Sequence, residues 1–325
     1  MRLSCLVLSL GVTAGLSCGP AMSGEWPNRP VTMLYPFTAG SAGDGVGRIL
    51  AARMAEILGQ PVIFENAGGA GGMTGANRVA KAEPDGYLFL LGGTSMVVHQ
   101  IMYRQPLYNA VSDFAPVALL ADQPTVLIAR KDLPANNIPE LIAYAKANSG
   151  KMQYGSAGIG SVVHLSCMLL TSAIHADVTH VPYRGGGGAL QDLLAGRIDY
   201  QCPILTVGLP QIQAGTVKPI ALLSKERSPA VPALATAHEQ GLEGFDVTNW
   251  YGFFLPRDTP APIVRKLHQA TVAALQTPSV QEKLRAIGAV IAAPERQSPE
   301  YLRSHVVREI EKWGPAIKSS GAQID

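Results

Sequence analysis

Apolar positions along the chain alternate between two rhythms. Short runs of strand-forming residues occupy 31–35 (Val31, Thr32, Met33, Leu34, Tyr35), 61–64 and 87–91. Between them lie stretches with helical spacing. Val46, Ile49, Leu50, Met54 and Ile57 recur on one face of a helix over 46–58, which Gly59 stops. A second helix is predicted near 75–82, followed by a Pro84-Asp85-Gly86 turn. The middle of the chain repeats the theme, with strands at 151–154 and 178–181 and helices over 161–172 and from 188 to Gly196. Strands separated by helical segments predict βαβ units and mostly parallel sheets.

The tail changes character. Thr259-Pro260, Thr277-Pro278 and Ser298-Pro299 each look like an N-cap followed by proline at the first helical position. Leu302, Val306, Ile310, Trp313 and Ile317 give the last helix an apolar face that needs a core to cover it. Segments 117–130 and 245–255 are the candidates for strands that cross between two halves.

One tetrapeptide, Gly-Ser-Ala-Gly, occurs at 40–43 and again at 155–158. Each copy stands between a strand and a helix, and each is followed by a second glycine-rich turn (68–75 and 185–188). The reading is two lobes of similar build, each presenting two glycine-rich turns at strand C-termini.

A 325-residue chain suits two domains, and 47% apolar residues supply a large core. Only 15% of residues are charged, against about 25% in ordinary domains. With 26 basic and 24 acidic residues there is no field to track phosphates, so a nucleic-acid partner is excluded. Residues 1–23 hold one charge, Arg2, then an apolar run and Ala21-Met22-Ser23, the layout of a cleaved secretory signal. The 302 residues left would be exported and soluble. Cys167 and Cys202 remain, and the sequence leaves open whether they pair or stay as separate buried thiols.

The turns at 38–44 and 155–161 carry the candidate chemistry. A helix N-terminus offers free N–H groups and about half a positive charge, so it binds an anion without a basic side chain. Ser41, Ser156 and Ser161 add hydroxyls, and two such turns facing each other would clamp a carboxylate. Asp44 is either a cap or the acceptor of a ligand hydroxyl or ammonium. Thr94 and Ser95 end another strand and could donate hydroxyls. Arg184 could pair with a carboxylate, hold its loop or sit in water. His164 suits a core or cap role better than a ligand contact. No G-x-G-x-x-G, P-loop or zinc spacing is present, so no cofactor or metal is expected. Residues 39–43 also approximate a nucleophile elbow around Ser41, which keeps an exported serine hydrolase as an alternative.

The order of these pieces resembles the periplasmic solute receptors of tripartite tricarboxylate transporters, the TctC/Bug family. The resemblance runs from Trp26-Pro27-Asn28-Arg29-Pro30 to the final helix. Its specific stretches are Glu65-Asn66, the glycines at 68–72, Pro84-Asp85-Gly86-Tyr87, Gly160-Ser161 with His164, Val181-Pro182-Tyr183-Arg184-Gly185, and 192–196 with Asp199. It implies a two-lobed periplasmic type II fold, with lobe 1 from 24–121 plus 250–325, lobe 2 from 122–249, and two crossover strands as hinge. It implies a monomer that closes on a small organic acid and delivers it to a membrane permease, without catalysis. A ligand sensor feeding a signalling partner is a further alternative. The carboxylate would be held largely by backbone groups and bridging waters of two loops. The first maps onto Phe37, Thr38, Ala39, Gly40, Ser41 and Asp44; the second onto Ser156, Ala157, Gly158, Gly160 and Ser161, with Arg184 and Gly185 beside it. The chain departs from the family at Ala39-Gly40-Ser41 (commonly Pro-Gly-Gly), at Ala67-Gly68, and at Gly188, where Pro is usual.

Overall fold

In the computed structural model, residues 25–319 are described; the segment 1–23, expected to be a cleaved secretory signal, lies outside them. Eleven strands among the described residues form two sheets. The first half of the chain follows the predicted alternation: β1 (Val31–Tyr35), α1 (Ala42–Leu58), β2 (Val62–Asn66), α2 (Met73–Ala80), β3 (Leu88–Gly93) and α3 (Thr94–Met102). Then come β4 (Phe114–Pro124), β5 (Val126–Ala129), α4 (Ile138–Ala147), β6 (Gln153–Ser156), α5 (Val162–Ala173), β7 (Thr179–Pro182) and α6 (Gly186–Leu194). The remainder is β8 (Tyr200–Gln201), α7 (Leu205–Gln213), β9 (Lys218–Leu222), β10 (Thr248–Pro256), α8 (Ala261–Gln276), α9 (Pro278–Ala286), β11 (Val290–Ile291) and α10 (Pro299–Ser319).

The strand orders are β11-β4-β10-β3-β1-β2 and β7-β6-β8-β5-β9. Each contains a parallel trio of the same winding, β2-β1-β3 and β7-β6-β8. Each trio is extended by an antiparallel strand, β10 beside β3 and β5 beside β8. The sheets are therefore mixed, where mostly parallel ones were expected. The reason is the crossovers: a strand arriving from the other sheet enters without a βα connection, so nothing obliges it to run parallel.

Both faces of the first sheet are covered, which explains its near-continuous apolar runs. Along β1, Val31, Met33 and Tyr35 face the core under α1, α8 and α9, while Leu34 faces the core under α3 and α10. β10 divides likewise, with Tyr251, Phe253 and Leu255 on one side and Trp250 and Phe254 on the other. The apolar face of α10 packs here through Leu302, Val306, Trp313 and Ile317, all buried. In the second sheet Cys167 of α5 and Cys202 after β8 form a disulfide, with Cα atoms 5.4 Å apart.

Only Thr125 separates β4 in one sheet from β5 in the other. Its hydroxyl donates to the Val247 carbonyl at 2.6 Å, and its own carbonyl accepts from Leu223 at 2.9 Å. The outgoing and returning chains thus run side by side where they pass between sheets. Of the three expected proline-linked caps, Ser298 serves as one, accepting from the Tyr301 N–H at 3.0 Å. Thr259 and Thr277 do not. Their hydroxyls donate backwards, to Pro256 and Ala273 carbonyls, because those residues also close the preceding element.

Candidate functional site

The C-terminal ends of the two parallel trios face each other. After β1 the chain turns through Gly40 at φ 77°, and Ser41 stands in extended conformation at the head of α1. Tyr35 braces the turn, its hydroxyl accepting the Gly43 N–H at 2.9 Å. After β6 the chain turns through Gly158 (φ 112°) and Gly160 (φ 80°). Ser161 then caps α5, accepting from the His164 N–H at 3.2 Å and donating to the Gly158 carbonyl at 2.6 Å. Left-handed φ at these positions is why glycine is needed there.

The second loop is held from behind by two imidazoles. The Gly160 N–H donates to His164 Nδ1 at 3.3 Å. His180 Nε2 lies 2.7 Å from the Ser156 hydroxyl, whose oxygen accepts the Gly158 N–H at 3.1 Å. The two rings stack with centroids 4.2 Å apart. Burial, with the neighbouring His180, pushes His164 down to about 3; burial pushes His180 down to about 4. Both rings are neutral at physiological pH, as His164 must be to accept the Gly160 N–H.

The two sides touch. A Cβ on Gly71 would overlap the Ile159 carbonyl, and one on Gly185 would overlap Thr38 Oγ1. A Cβ on Gly160 would lie 2.9 Å from the His99 ring. Glycine at these places lets backbone from one sheet approach the other. Between them is a cavity lined from both sheets. Tyr35, Phe37, Leu91, Met96 and His99 wall one side; Val162, Val163, Gln201, Ile204 and Val207 wall the other; Asn249 and Tyr251 of β10 also line it. Among the described residues, no Asp, Glu, Lys or Arg lines this cavity.

Of the residues singled out from sequence, Phe37, Gly40, Ser41, Ser95, Ala157 and Ser161 line the cavity. Thr38, Gly158, Gly160 and Gly185 lie at the contacts between the two sides. Ala39 is exposed at the turn, and Arg184 is exposed too. Thr94 is fully buried, its hydroxyl accepting the Trp250 N–H at 3.2 Å. Ser156 and His164 support the loop as described. Asp44 turns along its helix to Arg48, 3.1 Å away. Burial would raise its carboxyl, but Arg48, Asn66 and the Gly40 N–H outweigh this and hold it below the usual range. The Ser41 hydroxyl donates to the Thr38 carbonyl within its own loop, whereas a nucleophile would need a base there.

The sequence reading missed Tyr35, His99, Gln201, Asn249 and Tyr251. His99 Nδ1 meets the Tyr108 hydroxyl at 2.7 Å, and burial pushes the ring down to about 4. His99 Nε2 and Gln201 Oε1 are buried without a well-formed hydrogen bond, and the buried Tyr251 hydroxyl has only Tyr35 and Asn249 as polar neighbours. Burial pushes Tyr35 up to about 12, and raises Tyr251 well above its ordinary value, with Tyr35 beside it. The available signal was a lone polar residue inside an apolar strand, as at Gln201 and Asn249. The described residues contain no group of three or more His, Cys, Asp or Glu placed to hold a metal ion.

Residues 46–322 match the model of the "Tripartite tricarboxylate transporter family receptor". A curated relative from Agrobacterium vitis, the UPF0065 protein of the TAR-I ttuE-ttuC' intergenic region, is 38% identical over 91% of this chain and 86% of its own. The periplasmic binding protein BugD superposes with a TM-score of 0.88 at 38% identity, covering 92% of this chain and 99% of that one. MatC from Rhodopseudomonas palustris, solved with bound malate, gives 0.85 at 39% identity over 90% of this chain and all of that one. The fold of this chain is that of these periplasmic binding proteins, and the chain belongs to the tripartite tricarboxylate transporter receptor family.

Proposed function

We propose that this protein is an exported receptor that closes on a small organic carboxylate between two lobes and hands it to a membrane permease. The lobes are 24–121 with 250–325, and 122–249, moving about the paired crossing segments at Thr125, Leu223 and Val247. Residues 1–23 are the export signal, and the receptor works as a monomer without cofactor or catalysis. One observation carries the reading: the N-terminal turns of α1 and α5 open on a single cavity whose wall contains no charged side chain among the described residues. Backbone N–H groups and helix dipoles attract an anion there at no cost in buried cations. MatC, with malate, is a similar chain that binds an acid of this kind.

The experiment is isothermal titration of folded, ligand-stripped protein against mono-, di- and tricarboxylates. Saturable binding at one site per chain is the expected result. Failure of every acid to bind would refute the proposal. The permease assignment is tested separately, by loss of uptake of the same acid in a deletion strain.

A further inference from the structure

Every residue of α5 from Val162 to Leu170 is buried, so this stretch of helix has no solvent face. A helix buried all round is covered from more than one side. At about 100° per residue, Cys167, Leu170 and Ile174 share one face, and Leu165, Met168 and Leu169 share the opposite one. The two faces join different cores. Cys167, Leu170 and Ile174 pack with Leu127, Tyr154 and Tyr200 of the second sheet. Leu165, Met168 and Leu169 belong instead to a core of the first sheet, with Ile101 and Met102 of α3 and Trp313 of α10. The turn that starts α5 lies on α3 as well: a Cβ on Gly160 would come within 2.9 Å of His99 and 3.4 Å of Tyr103.

The disulfide fixes which sheet α5 follows. It ties Cys167, on the inner face, to Cys202 beside β8. When the lobes part as proposed above, α5 therefore travels with the second sheet, and its outer face leaves α3. Leu165, fully buried, and Met168, 8% exposed, then meet water. Leu169 sits nearer the pivot, in a groove with Phe245, Val247 and Trp313. Neither Leu165 nor Met168 lines the cavity. The gain from burying them is non-directional and independent of what the cavity holds. We propose that Leu165 and Met168 are a latch, which holds the lobes together before a ligand enters and so positions both turns without touching the ligand. The proposal rests on the two-lobe receptor reading and adds to it a closing force that the ligand does not supply. Apparent affinity scales with the fraction of protein in the binding-competent form. Weakening the latch therefore loosens every ligand by one factor and leaves their order unchanged, whereas a residue that shapes the cavity changes the order.

The test compares ligand-stripped wild-type protein with Leu165→Gln and Met168→Gln, since glutamine keeps helix propensity but favours water. Small-angle X-ray scattering reads the separation of the lobes, thermal melts establish folding, and titration with succinate, malate and adipate reads affinity. Wild-type protein without acid is expected to scatter as the structure with its lobes in contact does. Each variant is expected to show a larger radius of gyration. Each is also expected to bind every acid that wild type binds roughly tenfold more weakly, with the ratios between acids unchanged within twofold. Wild-type protein that scatters with separated lobes in the absence of acid overturns the proposal, and this arm holds even where neither variant folds. A folded variant with wild-type scattering and affinity overturns it too, as does a loss that differs between acids. If no acid binds, the receptor reading falls, while scattering still decides the latch.

Discussion

Adding one methyl group at Gly185 should separate closure from stability. Gly185 is the N-cap of α6 with φ 174° and ψ 162°, extended backbone that alanine also adopts, so the substitution introduces no strain of its own. The new Cβ would overlap Thr38 Oγ1, a residue of the opposite side, with Thr38 Cβ at 3.6 Å and Cγ2 at 3.7 Å. Overpacking of this kind costs about 1–3 kcal/mol. Thr38 is exposed and its hydroxyl can swing away, so the lower end applies, about 1–1.5 kcal/mol, or roughly tenfold in Kd. Under the proposed closure, the penalty falls only on the closed form, because separating the lobes would remove the overlap. Loss of the glycine cap itself costs at most about 1 kcal/mol of stability. Thr38→Ala deletes the clashing oxygen and leaves an ordinary contact, so Gly185→Ala in that background should bind like Thr38→Ala alone. The assay is a double-mutant cycle by isothermal titration, with ligand-free melts alongside. Unchanged affinity in Gly185→Ala, or a loss that Thr38→Ala does not rescue, would refute the closure argument.

Three further outcomes are expected. Tyr251→Phe removes a buried hydroxyl on the cavity wall beside Tyr35 and Asn249, so affinity should fall about tenfold; unchanged affinity in a folded variant would contradict this. His99, pushed from 6.5 down to about 4 by burial, binds fewer protons folded than unfolded between those values. Its stability contribution is therefore intact above pH 6.5 and lost as pH falls toward 4, about 2 kcal/mol at pH 5; urea midpoints that agree at pH 7.5 and 5 would count against it. The Cys167–Cys202 bridge spans 35 residues, so replacing both cysteines with alanine should cost about 3–4 kcal/mol in urea unfolding, and an unshifted midpoint would argue that the bridge does not form.

Much of the fold was legible because both rhythms of the sequence are honest reporters of burial. The run at 31–35 became β1 without a shift, and Gly59 ends α1 at φ 67°, as a C′ glycine should. The antiparallel strands escaped because pairing direction depends on where a crossing chain arrives, which no local pattern records. The loops were legible for the same reason as the caps: glycine with serine at a strand-to-helix turn has few other uses. The deeper wall was not. Tyr35 and Tyr251 gave no site signal in their apolar strands, and only the fold brings their ring centroids to 6.5 Å at the cavity. His99 was hidden inside an apolar helix, and its unbonded Nε2 becomes visible only when Gly160 is seen beside it.

The account turns on an anion held by backbone rather than by cations. A crystal structure with the tightest-binding acid tests this directly. The predicted result is a carboxylate within hydrogen-bond distance of backbone N–H groups from both turns, 37–44 and 156–161, directly or through one water. A carboxylate seated on a lysine or arginine side chain, or outside this cavity, would contradict it.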